Sequence, residues 1–596
     1  MSEKSSKLDR YLNGYVLFVS VLLFSLIWIF QGFDVTDSGW HLSNQMGASS
    51  FSDRPTSGFV ALFFLSDFVG GMWLRIINTP NILWARLGGL LLSVFNALIS
   101  YKILSVYFDK KKVFFVVFAS TLFLAGSSTL IHYFTFPALL INLGLLFFNQ
   151  LLNRPIESIS FKVYSFLLGF IVIPIILARF TLIPILFIPV ILLLYYLISR
   201  KEMVELKKSA PYVIAGVFIS TLLFALFYAS IDFLRIYIES IKNQVFTSAT
   251  GNAERIVRGH GMFQLLKQYS DEFRYHVISI TVMALFCLYI VSLLKGRLSD
   301  RTINLIFLIL TVVGTMLFLL VYDASFYSRS LKYLSIGLIL IVSVMFFTHD
   351  KGESKNLSLL LLIAVFAMVI SPIGSNGGLA KSKNGMWVSL PLIFLITYEL
   401  KGKMDNKRLR AMFSLNTVFI SLIILASVFI RFSSVYRDSN NRFKLNTEFK
   451  YKYLHNLYSQ KKRVEVVDEA LMKIDELTQK DDVVLMINEI PMFYYLTQTK
   501  PFFGESWLFF YHLEMIKSMY EKAIEKGRYP RLFVYSKTNT SRSDWPTDEI
   551  ADESELPVFD YFVGKYVNEL HYNLIWENSA FAVYSRPQYY DELEGS

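Results

Sequence analysis

The sequence predicts a polytopic α-helical membrane protein of about 13 spans, followed by a small α/β domain on the non-cytoplasmic side. Three observations predict it. First, of 596 residues 54% are hydrophobic and 18% are charged, where a soluble chain carries about 25% charged residues. Mean hydropathy is +0.45. Second, long apolar runs recur from residue 14 to residue 430. Third, past residue 432 charge becomes dense and the apolar runs shorten.

A helix needs about 20 apolar residues to cross a bilayer. The runs near 14–33, 83–107, 113–128, 132–152, 161–178, 181–199, 210–231, 276–294, 303–321, 331–347, 357–372, 386–400 and 411–430 meet that need. The N-terminus carries Lys4, Lys7 and Arg10. It resembles a signal peptide, but its apolar run is long and has no small-residue cleavage site, so a retained anchor is expected. The connections Asp109 to Lys112, Arg154, Arg200 to Lys208, Lys295 to Arg301, Lys351 to Lys355 and Lys401 to Arg410 then fall with the N-terminus on one side. By the positive-inside rule that side is cytoplasmic. The same pattern accounts for the net charge of +11 without nucleic acid. The single cysteine, Cys287, excludes a disulfide framework and a cysteine metal site.

Two units follow: a transmembrane domain over 1–431 and an extracytoplasmic soluble α/β domain over 432–596. The first outer loop is 34–82, and 232–275 is a long outer loop. Residues 42–82 contain Asp53, Arg54, Pro55 and Asp67 and read as short interfacial helices, with Trp73 at the headgroup level. In the second unit the pattern gives a helix over 465–480, a strand over 483–487 and a helix from Met492. It gives a further helix over 514–526 and strands over 532–536 and 581–585. With no glycine-rich phosphate loop and no metal-ligand cluster, this unit is expected to bind an acceptor or serve structure, not chemistry.

The stretch Asp34-Val35-Thr36-Asp37-Ser38-Gly39-Trp40-His41 lies where the first helix should leave the bilayer. Ionisable groups there mark a site. The step from Asp34 to Asp37 predicts two carboxylates on one side of a helical turn, with Gly39 allowing a sharp exit. Acids followed by glycine also cap and end helices, and the stretch alone leaves both readings open. Arg179, between Pro174 and Pro184, stands at an outer helix end against the positive-inside trend. Snorkelling and an anionic ligand both account for it. Arg255 and Arg258 are three apart, so on a helix they share a face.

Together these features resemble the GT-C class of membrane glycosyltransferases, nearest the protein O-mannosyltransferases and the lipid A aminoarabinose transferase. That class carries an acidic motif after helix one, often Asp-Glu, then Gly and an aromatic. Here Asp37-Ser38-Gly39-Trp40 matches, with Ser38 where the second acid usually stands. Ala85-Arg86-Leu87, followed by Gly88-Gly89-Leu90, matches the start of the second span. The topological likeness covers most of 1–430, and the residue-level likeness about 34–105.

The resemblance implies inverting transfer of a sugar from a polyprenyl-phosphate donor to an acceptor hydroxyl at the outer face, in cell-surface glycan assembly or modification. The acceptor is a glycan, lipid or protein, and membrane lipids surround the chain. Asp37 is then the candidate base and Asp34 its partner. With Ser38 in place of the second acid, the two exchange roles without leaving the class. Arg179, Arg255, Arg258 and Arg54 are candidates for the donor phosphate. Trp40, His41 and His260 are candidates for sugar or acceptor contact. Metal-dependent members carry another acid in the second outer loop. Gly126 to Ile131 has none, so no cofactor or metal is expected. The absence of outer cysteines favours a bacterial inner membrane with the catalytic side periplasmic. The rival readings are a polysaccharide polymerase or ligase and a lipid-linked-sugar flippase or transporter. The first should carry a large late outer loop, and the second charged or broken helices at the midplane.

Overall fold

A computed structural model describes residues 13–247, 355–403 and 432–586, apart from 28, 51–57, 125–129, 200–202, 374–377, 509–512 and 548–555, together with the isolated residues 270, 425, 428 and 429. The runs expected over 276–294, 303–321, 331–347 and most of 411–430 lie outside these residues, as does Cys287.

The helices are α1 (Gly14–Leu26), α2 (Asp37–Ser50), α3 (Phe64–Ile77), α4 (Ile82–Leu104), α5 (Lys110–Leu124), α6 (Thr135–Leu152) and α7 (Ile159–Ala178). A 3-10 segment, Phe180–Phe187, leads into α8 (Ile188–Ser199). Then come α9 (Val204–Ser230), α10 (Leu234–Thr247), α11 (Lys355–Ile370), a 3-10 turn (Gly378–Gly385) and α12 (Met386–Lys403). Among the described residues α4, α6, α7 and α9 are long and apolar enough to cross a membrane.

Two expectations change here. The first helix ends at Leu26, not residue 33, because the chain beyond it is drawn into a sheet contact. Gly32 N donates to Tyr458 O at 2.8 Å and Tyr458 N to Phe30 O at 2.8 Å, which no helical residue could match. The expected outer loop 232–275 begins as a helix, α10.

Small residues set the closest helix crossings. A Cβ on Gly169 of α7 would overlap the Val213 carbonyl of α9, and one on Gly216 the Phe166 carbonyl of α7. Such close backbone approach is how membrane helices pack without a hydrophobic drive. Gly70 and Gly71 of α3 likewise lie against Gln45 and Ser49 of α2.

The C-terminal unit contains β1 (Thr447–Glu448), β2 (Tyr458–Ser459), α13 (Lys461–Leu477), β3 (Val483–Ile487), α14 (Met492–Thr497), β4 (Lys500–Pro501), α15 (Leu513–Glu525), β5 (Leu532–Ser536), β6 (Asn573–Glu577) and β7 (Phe581–Ser585). Its main sheet runs β4-β3-β5-β7-β6. β3 is parallel to β4 and β5, while β7 is antiparallel to β5 and β6. Side chains alternate between two cores. Val484, Met486, Leu532, Val534, Phe581 and Val583 face α13 and α14. Leu485, Ile487 and Phe533 face α15. The first core also takes in Phe33, Val35, Leu42, Ile82 and Ala85, so it is continuous with the start of α2 and α4.

Candidate active site at the start of α2

The Asp34–Asp37 stretch is held from two sides. Buried Arg86 of α4 donates through Nη1 to Ile29 O at 2.6 Å and through Nη2 to Gly32 O at 2.6 Å, satisfying carbonyls released where α1 ends. From the C-terminal unit, Asp438 Oδ2 accepts from Phe33 N at 2.7 Å. Met492 N donates to Val35 O at 3.0 Å. The extended segment therefore has backbone partners in both units.

Asp34 and Asp37 do not share a helical turn. Asp34 precedes α2 and Asp37 is its first residue. Asp34 Oδ1 accepts from Thr36 N at 3.1 Å and Thr36 Oγ1 at 2.9 Å. Its Oδ2 accepts from Ser38 N at 2.8 Å and Ser38 Oγ at 2.9 Å. It caps the start of α2, satisfying amides that the helix leaves open. Gly39 makes no exit turn. It lies inside α2, where a Cβ would overlap the backbone of Met492, so its role is close approach.

Asp37 is more open, with 36% of its side chain exposed. Tyr436 Oη donates to its Oδ2 at 2.6 Å. Arg437 Nη1 lies 3.3 Å from Asp37 Oδ1 and 4.0 Å from Asp34 Oδ1, and also donates to Thr36 Oγ1. Burial works against the charge of Arg437, yet the carboxylates of Asp37 and Asp34 hold its pKa above the ordinary arginine value. The C-terminal unit, expected to stand apart from the chemistry, thus supplies two direct partners of Asp37.

Trp40 and His41 point inward. Trp40 is 2% exposed and packs edge-on against Phe63 (5.5 Å), Tyr133 and Trp507 (both 6.1 Å). His41 stacks on His132 at 4.7 Å and 11°. Burial lowers the His41 pKa to about 3, Asp34 opposing and Lys381 adding to the fall. Both rings are buried, Trp40 at 2% and His41 at 6% exposure. Buried Asp67, on α3, has a pKa raised well above the carboxylate range by burial and by Glu505.

Arg179 is the C-terminal cap of α7 and is 4% exposed. It donates to Ser371 O and Ile373 O, both at 2.8 Å, and lies 4.4 Å from the Phe134 ring centre. It therefore closes the carbonyl end of α11. Lys381 lies over the same ring at 4.9 Å. Arg54, Arg255, Arg258 and His260 fall outside the described residues. Tyr436, Arg437, Lys381 and Lys383 escaped the sequence reading. The signal for the lysines was present: they lie between apolar runs yet outside the basic connections that the positive-inside rule gathers on the cytoplasmic side. Nothing local marked Tyr436 or Arg437.

Beside Arg179 an apolar groove with about 1170 Å³ of empty space runs between α6, α7, α8, α9 and α11. Leu152 and Leu206 line one end, and Ile175, Ile185 and Ile370 the other. The second end lies one turn from Arg179. Among the described residues no group of three or more His, Cys, Asp or Glu could hold a metal ion.

No family model and no curated protein matches the sequence. Some solved structures show a likeness to the chain. One is the archaeal oligosaccharyltransferase AglB from Archaeoglobus fulgidus, in complex with an inhibitory peptide and a dolichol-phosphate. It is 13% identical, covers 96% of this chain and 74% of that one, and has a TM-score of 0.46. Another is ArnT from Cupriavidus metallidurans bound to undecaprenyl phosphate, 11% identical, covering 96% and 98%, with a TM-score of 0.47.

Proposed function

We propose that this chain is an inverting glycosyltransferase that moves a sugar from a polyprenyl-phosphate donor to an acceptor hydroxyl at the outer face of a membrane. The observation that carries the reading is the unequal pair of carboxylates: Asp34 is fully hydrogen-bonded within its own turn, while Asp37 keeps an open side. A general base needs a carboxylate oxygen within reach of a hydroxyl proton, and of the two Asp37 meets that need.

In the proposed reaction Asp37 takes the proton of the acceptor hydroxyl. That oxygen bonds to the anomeric carbon as the bond from carbon to phosphate oxygen breaks. The electron pair leaves with the polyprenyl phosphate, and the anomeric centre inverts. Tyr436 and Arg437 orient the carboxylate through the contacts described. The apolar groove fits the donor's hydrocarbon tail. One turn beyond the end lined by Ile175, Arg179 supplies positive charge for the departing phosphate, with Arg255, Arg258 and Arg54 as further candidates. A guanidinium already donating to two carbonyls acts there mainly as a fixed charge.

The test is sugar transfer by purified protein from a polyprenyl-phosphate-linked donor. Asp37→Asn should lower turnover by about 10²–10⁴-fold while leaving donor binding in place. Asp34→Asn loses part of its acceptor set. It should destabilise the start of α2 by about 1–3 kcal/mol and lower turnover less. Normal turnover in Asp37→Asn would remove Asp37 from the mechanism. A dead Asp34→Asn beside an active Asp37→Asn would move the base to Asp34.

A further inference from the structure

The main sheet of the C-terminal unit has a place where its connections part. The chain leaves β3 toward β4 on one side and leaves β5 toward β6 and β7 on the other. In an open α/β sheet the carboxyl ends of two such strands form the crevice that takes ligands. Here Asn488, just past β3, donates through Nδ2 to the carbonyl of Ser536, the last residue of β5, at 3.0 Å. Asn488 and Glu489 both have left-handed backbones, each with φ of 62°. Such a pair persists only where its surroundings fix it. Thr540 Oγ1 donates to Glu489 O at 2.7 Å, and Ser43 Oγ of α2 donates to Pro491 O at 2.8 Å. With Met492 N on Val35 O, the carboxyl end of β3 is fixed against the segment that carries Asp34 and Asp37.

That arrangement brings a carboxylate and an aromatic ring near Asp37. Burial works against the charge of Arg437, and Glu489 joins Asp37, Asp34 and Tyr436 in opposing it. Glu489 therefore lies within electrostatic reach of the guanidinium that contacts Asp37. Tyr436, the neighbour of Arg437, is 52% exposed although its hydroxyl is tied to Asp37 Oδ2. Its ring thus lies open beside the proposed base. An exposed ring with a fixed polar end suits a ligand that has an apolar face and a polar edge. A sugar ring has both, with C–H bonds on a face and hydroxyls around the rim. A carboxylate only accepts, and its two oxygens can take the protons of a vicinal pair of hydroxyls. An alkyl alcohol would leave the same carboxylate without a donor.

We propose that the acceptor is a saccharide, with its ring stacked on Tyr436 and a pair of its hydroxyls bonded to Glu489, so that a further hydroxyl is presented to Asp37. The inference rests on the proposed transfer reaction only for the bound sugar's role as acceptor. Glu489 is then a specificity residue. A site built to bond a hydroxyl rejects a ligand that lacks it far more strongly than apolar contacts can.

The test is saturation-transfer NMR on the full chain in a sugar-free detergent. The probes are the methyl glycosides of glucose, galactose, mannose and N-acetylglucosamine, with a capped threonine tripeptide as the rival acceptor. At least one glycoside should bind, with saturation strongest on the C–H protons of one ring face, and the peptide should not. Tyr436→Phe keeps the ring and should bind that glycoside as the wild type does. Tyr436→Ala should weaken it about tenfold. Glu489→Gln should weaken it about tenfold or more, the loss expected for a hydrogen bond to a charged group. Asp37→Asn should bind it about as tightly as the wild type while transferring no sugar, so glycoside binding is read independently of the transfer reaction. Binding of no glycoside, preferential binding of the peptide, or unchanged affinity in a folded Tyr436→Ala or Glu489→Gln overturns the proposal. If Tyr436→Ala does not fold, Glu489→Gln decides.

Discussion

Two carboxylates three residues apart have different roles because of what surrounds each. Asp34 accepts four hydrogen bonds from Thr36 and Ser38, while Asp37 has Tyr436, Arg437 and an open side. The histidines beneath them are kept neutral by dryness. This gives a signed pH effect. In the folded chain His41 stays unprotonated down to about pH 3, whereas an unfolded chain protonates it near its ordinary value of 6.5. Below 6.5 the unfolded state therefore holds the extra proton, and stability falls as pH falls from about 6.5 toward 3. At pH 5 the loss from one such group is about 2 kcal/mol. Thermal midpoints of detergent-solubilised protein should drop between pH 7 and pH 5, and drop less in His41→Phe. An equal drop in both proteins would mean that His41 is protonated in the folded state or solvated.

At the scale of elements, α2 is the hinge between the two units, and it is placed by what its residues lack. Gly39 has no Cβ, so α2 meets the start of α14 backbone to backbone. Gly70 and Gly71 let α3 lie against the other side of α2. Gly39→Ala should push α14 away, loosening the Met492-to-Val35 hydrogen bond. Overpacking of this kind costs about 1–3 kcal/mol. The expected result is a lower thermal midpoint together with reduced transfer. A variant with wild-type midpoint and turnover would show that the contact is slack.

For the whole molecule, the C-terminal unit is fastened to the helical one by a shared core and a buried ion pair. Arg463 Nη1 lies 2.7 Å from Asp438 Oδ1, with both side chains fully buried. Asp438 also receives Phe33 N and Ser459 Oγ, each at 2.7 Å. The pair therefore links α13 to the segment that carries Asp34. Removing one partner leaves a buried charge without its counterion, which costs about 3–5 kcal/mol. Arg463→Met should lower the thermal midpoint by that measure and reduce transfer, since the site segment loses its anchor. A loss below about 1 kcal/mol would place water around the pair, as at exposed ion pairs.

The sequence by itself determined the elements whose signal is local. Periodicity placed strands 483–487, 532–536 and 581–585 at the bounds observed, and the helix from Met492 at its first residue. Apolar length found α4, α6 and α7 to within three residues at each end, and α9 to within six. An acid beside a helix end drew attention to 34–41. Hydrophobic period and span length are written in consecutive residues, so they can be read without a partner. The tertiary structure alone decided what each polar residue does. It ended α1 at Leu26 because Tyr458, more than 400 positions away, offers the chain a sheet partner. It separated Asp34 from Asp37, turned Trp40 and His41 inward, and directed the fork of Arg179 to two carbonyls. It brought Tyr436, Arg437, His132 and Lys381 to the same end of the bundle. A charged or aromatic side chain takes its role from the atoms that satisfy or desolvate it, and those atoms come from elsewhere in the chain.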